Sequence, residues 1–223
     1  MGEKIKIIEL DFVNAFLIEV EGGNVLIDTG YPMHWEKLLG ELMSANCLPD
    51  KLKLVILTHG DMDHTGNCAN LQKKYNVKIA IHQEDVFMAE KGVSLNRKVR
   101  TLSAKIFVLI RKLRRSFQSK KIIFETFKPD VFLSDGQSLI EYGLDAKVIH
   151  IPGHTKGSIG ILTKEGSLFA GDIFFNRKKP VVSYYVHDEL ELNASVEKLK
   201  KIDIRMVYPG HGKPFPFQDF KDI

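Results

Sequence analysis

Residues 53–58, KLVILT, form an apolar stretch too short for a helix and rich in strand-forming residues. Such a run is what a strand looks like when both of its faces are covered. It demands a fold with layers on either side of a sheet. The stretch ends in THGDMDH, which places His59, Asp61, Asp63 and His64 within six residues. Open sheets flanked by helices place their ligands at the carboxyl ends of strands. The chemistry of the chain is therefore expected in the loop that follows this strand.

Three further apolar runs end the same way. AKVIHI leads into PGHT and His154, SLFAG into Asp172, and RMVYPGHG into His211. Each carries a glycine, which permits tight backbone geometry. A lone histidine at a strand end is usually solvated or hydrogen-bonded, and DMDH alone reads equally well as a turn with Asp caps. Yet four of the eight histidines fall in these loops. Imidazole and carboxylate together suit zinc, iron or manganese, so the loops jointly read as a metal site.

The remaining pattern fits layers of sheet and helix. KIIEL, AFLIEV and NVLID are short strands, with EGG as a turn between the second and third. His34–Ala45 places Trp35, Leu38, Leu39, Leu42 and Met43 on one helical face. NCANLQKKY reads as a helix and VKIAIH as a strand. GILT and SLFAG pair around KEG, and Leu190–Lys201 forms a further helix. The 223 residues, 44% hydrophobic and 27% charged, suit one soluble domain over 1–223. Two cysteines, Cys47 and Cys68, without a CxxC exclude a disulfide scaffold and a thiolate zinc site. The N-terminus lacks a signal-peptide core, so a cytoplasmic protein is expected.

The order IDTG (Ile27–Gly30), TH-x-x-x-DH-x-G, GHT, GD and GHG resembles the metallo-β-lactamase fold superfamily, in its glyoxalase II-like or lactonase-like branch. The resemblance covers most of the chain. It implies an α+β fold, a four-layer αββα sandwich with a dinuclear site at one edge of the two sheets. His59, position 61 and His154 would hold one divalent metal. Asp63, His64 and His211 would hold the other, and Asp172 would bridge them. Asp28 would sit behind a ligand loop and orient it; its other reading is a turn residue. Zinc is the first expectation for the two ions, with iron or manganese as alternatives.

Asp61 departs from the family, which usually has histidine there. It would ligate directly or through water, or the first site would be weak. A third carboxylate makes the site more anionic, which shifts preference towards manganese or iron(II). A metal-bound hydroxide would cleave a small ester, thioester or lactone, with Asp63 also moving the proton. A phosphodiesterase or nuclease-like hydrolase is one alternative, and a non-hydrolytic metal-binding sensor or redox protein another.

Two basic features flank these motifs. Arg177 and Lys178, after Asp172, and then Tyr184 and Tyr185 are candidate substrate contacts; a solvated turn and an edge strand are the simpler readings. Residues 97–121 contain ten Lys or Arg and no acid. Val99, Leu102, Ile106, Leu109, Leu113 and Phe117 recur at helical spacing there. This basic helical insertion suits a cap over an anionic or acyl small-molecule substrate, or a packed helix with a solvated face. Nucleic acid and membrane surface are the lesser expectations as partners, and the oligomeric state is open.

Overall fold

The computed structural model describes residues 3–93, 97–100 and 124–221. The first sheet contains β1 (Ile5–Leu10), β2 (Val13–Val20), β3 (Gly23–Ile27), β4 (Leu52–Ile56), β5 (Ile79–His82) and β7 (Val131–Leu133), in that spatial order. β1, β2 and β3 are antiparallel hairpins, while β3, β4, β5 and β7 run parallel. The second sheet has the order β14 (Phe215–Pro216), β13 (Met206–Gly212), β10 (Ser167–Asn176), β9 (Ile159–Thr163) and β8 (Ala146–His150). β11 (Pro180–Val182) adds to β10, and β6 (Lys98–Val99) pairs with β12 (Tyr185–Val186) as a small separate ribbon.

Side-chain alternation explains why the first-sheet strands read as continuous apolar runs. Leu54 and Ile56 point into the space between the sheets with Phe16, Ile18, Val25 and Ile27. Their neighbours Val55 and Leu57 point the other way, into a layer with Leu38, Leu42, Leu71 and Tyr75. Successive strand residues face opposite sides, so a strand buried on both faces has no polar side to show. Phe16, Phe169 and Tyr208 join the sheets, with ring centroids 5.0 to 5.8 Å apart. Beyond the second sheet, Leu192, Val196 and Leu199 of the helix Glu189–Lys200 pack on its outer face. The result is helix, sheet, sheet, helix, as the resemblance implied. No helix among the described residues is long and apolar enough to cross a membrane.

The expected basic helix begins differently. Lys98–Val99 is extended, because its backbone pairs with Tyr185–Val186, and Arg100 N–H donates to Tyr184 O at 3.0 Å. Residues 101–123, the bulk of that segment, lie outside the described residues.

Candidate metal centre

The loop after β4 turns into the short helix Met62–Thr65, which carries Asp63 and His64 inward. Asp61 sits at the N-cap position of that helix but makes no side-chain cap bond, so the turn-cap reading fails. Asp172 is not in a loop: it lies within β10, where the pairing with β13 shifts register between Gly171 and Phe175. Gly171 has φ +50° there, and a Cβ would meet Thr58 Oγ1 at 2.6 Å. His211 likewise lies within β13. Beside it, a Cβ on Gly210 would come within 2.6 Å of Asp172 Oδ1 and 2.7 Å of His64 Cε1. Glycine there leaves the cluster open.

The expected residues converge. His59, His154 and Asp172 offer one ligand atom each within 4.8 Å of one another, and so do Asp63, His64 and His211. Asp172 lies between the triads. Its Oδ1 is 3.3 Å from His64 Nε2, and its Oδ2 is 3.6 Å from His154 Nε2 and 3.3 Å from His211 Nε2. Asp63 Oδ2 is 3.4 Å from His211 Nε2. Asp61 joins the first group, its Oδ2 lying 3.2 Å from the Nε2 atoms of both His59 and His154.

Each histidine has an oxygen partner for Nδ1. His64 Nδ1 donates to Asp28 Oδ2 at 2.8 Å, and His154 Nδ1 to Tyr185 O at 2.9 Å. His59 Nδ1 lies 3.1 Å from Thr58 Oγ1, and His211 Nδ1 donates to Phe12 O. A donor role at Nδ1 leaves the lone pair of a neutral imidazole on Nε2. In their neutral form all four imidazoles would therefore turn Nε2 lone pairs to one centre. Buried His59 Nε2, His64 Nε2 and Asp172 Oδ1 have no hydrogen-bond partner. Orphaned buried polar atoms are rare, and three acceptor positions around one point fit cations. The residues present therefore suit divalent metals.

Asp28 holds much of this in place. It is fully buried, with φ +59° in the left-handed region. Such strained residues persist where the surroundings fix them. Oδ1 accepts from Thr58 N at 2.9 Å, and Oδ2 from Thr58 Oγ1 at 2.8 Å as well as from His64. Thr58 thereby links Asp28 to His59. The carboxylate is a hub behind two imidazoles.

The electrostatics follow the geometry. Burial would raise the carboxyl pKa of Asp172, but His211 and His64 hold it well below the usual range. Burial opposes the charged form of His211 too, yet Asp172 and Asp63 push its pKa up to about 10. His64 is raised well above the usual value by Asp28 and Asp172, again against burial. His154 goes the other way, lowered by burial and by the Arg97 charge.

Two residues that sequence reasoning missed complete the site. Asp85, almost fully buried, accepts from Gly60 N at 2.9 Å, Thr155 Oγ1 at 2.6 Å and Gly157 N at 2.9 Å. It pins the loops of His59 and His154 to each other across the halves. Arg97 reaches in from the β6 ribbon: one Nη donates to Asp61 Oδ1, the other to His154 Nε2 at 3.0 Å. The expectation of a more anionic site is corrected here, since the guanidinium balances the Asp61 carboxylate. Arg177 and Lys178 are exposed in the turn between β10 and β11. Tyr184 stacks on Phe175, with centroids 5.0 Å apart, and Phe175 in turn lies 5.2 Å from the His211 ring. Tyr185 contributes its carbonyl to His154.

A family model described as the metallo-beta-lactamase superfamily matches residues 8–211. The chain belongs to that superfamily. It is 29% identical over 164 residues to the uncharacterized protein YobT of Bacillus subtilis, covering 73% of this chain and 62% of that one. It is 28% identical to the probable metallo-hydrolase MJ0888 of Methanocaldococcus jannaschii, over 90% of this chain and 87% of the relative. To the hydroxyacylglutathione hydrolase GloC of Haemophilus influenzae it is 29% identical over 56% of this chain. That match spans half of GloC, and the match to YobT spans under two thirds of its length. Among solved structures, TTHA1623 in a di-iron-bound form aligns with TM-score 0.70 and 25% identity, covering 98% of this chain and 96% of the other.

Proposed function

We propose that this superfamily member cleaves the acyl bond of a small ester, thioester or lactone at a two-metal centre. His59, Asp61, His154 and Asp172 would hold the first ion, and Asp63, His64, His211 and Asp172 the second. Zinc, iron or manganese ions held there would polarise the substrate carbonyl and make water acidic enough to attack near neutral pH. The observation that carries this reading is the four Nε2 atoms converging around Asp172 from both halves of the fold. The di-iron form of TTHA1623 supports iron as one candidate. The name of GloC supports an acylglutathione-type thioester among the candidate substrates.

The chain's own residues have distinct tasks. Asp28, Thr58, Tyr185 and Phe12 fix the imidazole tautomers through Nδ1, so that no reorientation is needed during reaction. Asp63 is the least buried of the carboxylates, its side chain 19% exposed against 6% for Asp61 and Asp172. It would face incoming substrate and water, take a proton from attacking water and return it to the leaving group. Tyr184 would form an aromatic wall beside His211.

The test is a substrate panel on protein reconstituted in parallel with zinc, manganese and iron(II). Turnover of ester, thioester or lactone that disappears on chelation, and disappears in His64→Ala, is the expected result. Cleavage of phosphodiesters alone would overturn the acyl assignment while leaving the metal centre standing.

A further inference from the structure

The Asp61–Arg97 pair has a geometry that a simple charge balance does not require. The β6–β12 ribbon sets Val99 opposite Tyr185, and Tyr185 is the residue whose carbonyl holds His154 Nδ1. The same ribbon therefore positions the imidazole and the guanidinium that faces it. Arg97 is nearly as buried as Asp61, with side-chain exposures of 10% and 6%. Its Nη1 donates to His154 Nε2 at 3.0 Å, and its Nη2 to Asp61 Oδ1. A neutral imidazole has one lone pair on that nitrogen. It can accept from Arg97 or ligate a metal, but not both.

Asp61 shares the conflict only in part. Its Oδ2 remains turned towards His59 and His154, while Oδ1 is held by Arg97. Among the described residues no such cation reaches the other triad: the contacts of His211 Nε2 and His64 Nε2 there are to Asp63 and Asp172.

We propose that Arg97 is a resident cation of the first metal site, competing with the first metal for His154 Nε2 and sharing Asp61 with it. The chain then holds one metal firmly, at Asp63, His64, His211 and Asp172, and a second one loosely and exchangeably. Filling the first site requires the guanidinium to release His154; Asp61 Oδ1 can keep its hold on Arg97 throughout. This rests on the reading of both triads as metal sites.

The experiment is a zinc titration of metal-free full-length protein against a chromophoric chelator, for wild type, Arg97→Met and Arg97→Lys. Wild type should show two separated steps. Arg97→Met removes the charge while filling similar volume. The weaker step should tighten by about 10- to 100-fold, the usual reach of residues behind a metal ligand, with the tighter step unchanged. Arg97→Lys keeps a charge but loses the fork, and should fall between. A weaker step that is unchanged or looser in Arg97→Met would overturn the proposal, as would both steps shifting together. Failure of wild type to bind any zinc would instead sink the reading of the triads themselves. A wild-type measurement covers a Met variant that does not fold. The Arg97 Nε–H resonance, followed by nitrogen-15 NMR, should stay put through the first equivalent of zinc and move with the second. A shift complete at the first equivalent would overturn the competition.

Discussion

Asp61 and Asp28 are both buried carboxylates, but they answer to different partners. Asp28 accepts three hydrogen bonds and anchors Thr58 and His64. Asp28→Asn keeps the shape but can no longer accept on both arms, so either Thr58 or His64 loses its acceptor. Metal affinity should fall by about 10- to 100-fold, measured by competition with a chelator of known strength; an unchanged affinity would return Asp28 to a turn role. Asp61 is tied to Arg97. Asp61→His restores the usual family residue yet leaves a buried guanidinium without its carboxylate. Removing one partner of a buried pair costs about 3–5 kcal/mol. Asp61→His should therefore be markedly less stable than wild type in urea, and adding Arg97→Met should recover much of the loss. A double variant no more stable than the single one would show that the two residues are not coupled.

Loops, more than strands, decide whether the site assembles, and Asp85 is the pin between two of them. It follows β5 in a short 3-10 turn and accepts from the loops of both His59 and His154. Asp85→Ala leaves the Gly60 and Gly157 N–H groups buried without partners, at about 1–3 kcal/mol each. Urea unfolding should report a total loss of about 2–6 kcal/mol. Metal titration should show the weaker step more affected than the tighter one, because both pinned loops serve the first triad. His59, His154, Asp172 and His211 were legible in the sequence because each closes a visible apolar run, although Asp172 and His211 lie within β10 and β13. Asp85 was not, since an acid in QED looks like any solvated turn until the far half of the chain packs against it. Arg97 was hidden differently. It opens a basic run with helical spacing, and the two-residue ladder that makes its neighbours extended has no period to detect. Local pattern predicts elements; reach across tertiary space does not register in it.

The whole molecule should report metal occupancy through its pH dependence. In the metal-free protein, His211 has its pKa raised from its ordinary 6.5 to about 10 by Asp172 and Asp63. A raised pKa means that the folded state favours the proton. The stability this contributes is fully present below the unfolded value and is lost as pH rises through about 10. The carboxyls of Asp61, Asp63 and Asp172 are lowered, so their contribution is present above the ordinary carboxylate range and is lost as pH falls through their depressed values. Metal-free protein should accordingly be most stable between these limits and weaken on the alkaline side. A bound metal takes the lone pair that the proton occupied, so binding releases protons and strengthens as pH rises. At a free-metal concentration about a thousandfold above the dissociation constant, binding adds about 4 kcal/mol to stability. With metal present, the decline between pH 6.5 and about 10 that His211 causes should vanish, while the acid side steepens as metal is lost along with the carboxylates. Urea midpoints measured across this range, with excess zinc and with excess chelator, check the sign directly. Parallel curves in the two conditions would mean that His211 does not exchange its proton for a metal, and the second triad would lose its assignment.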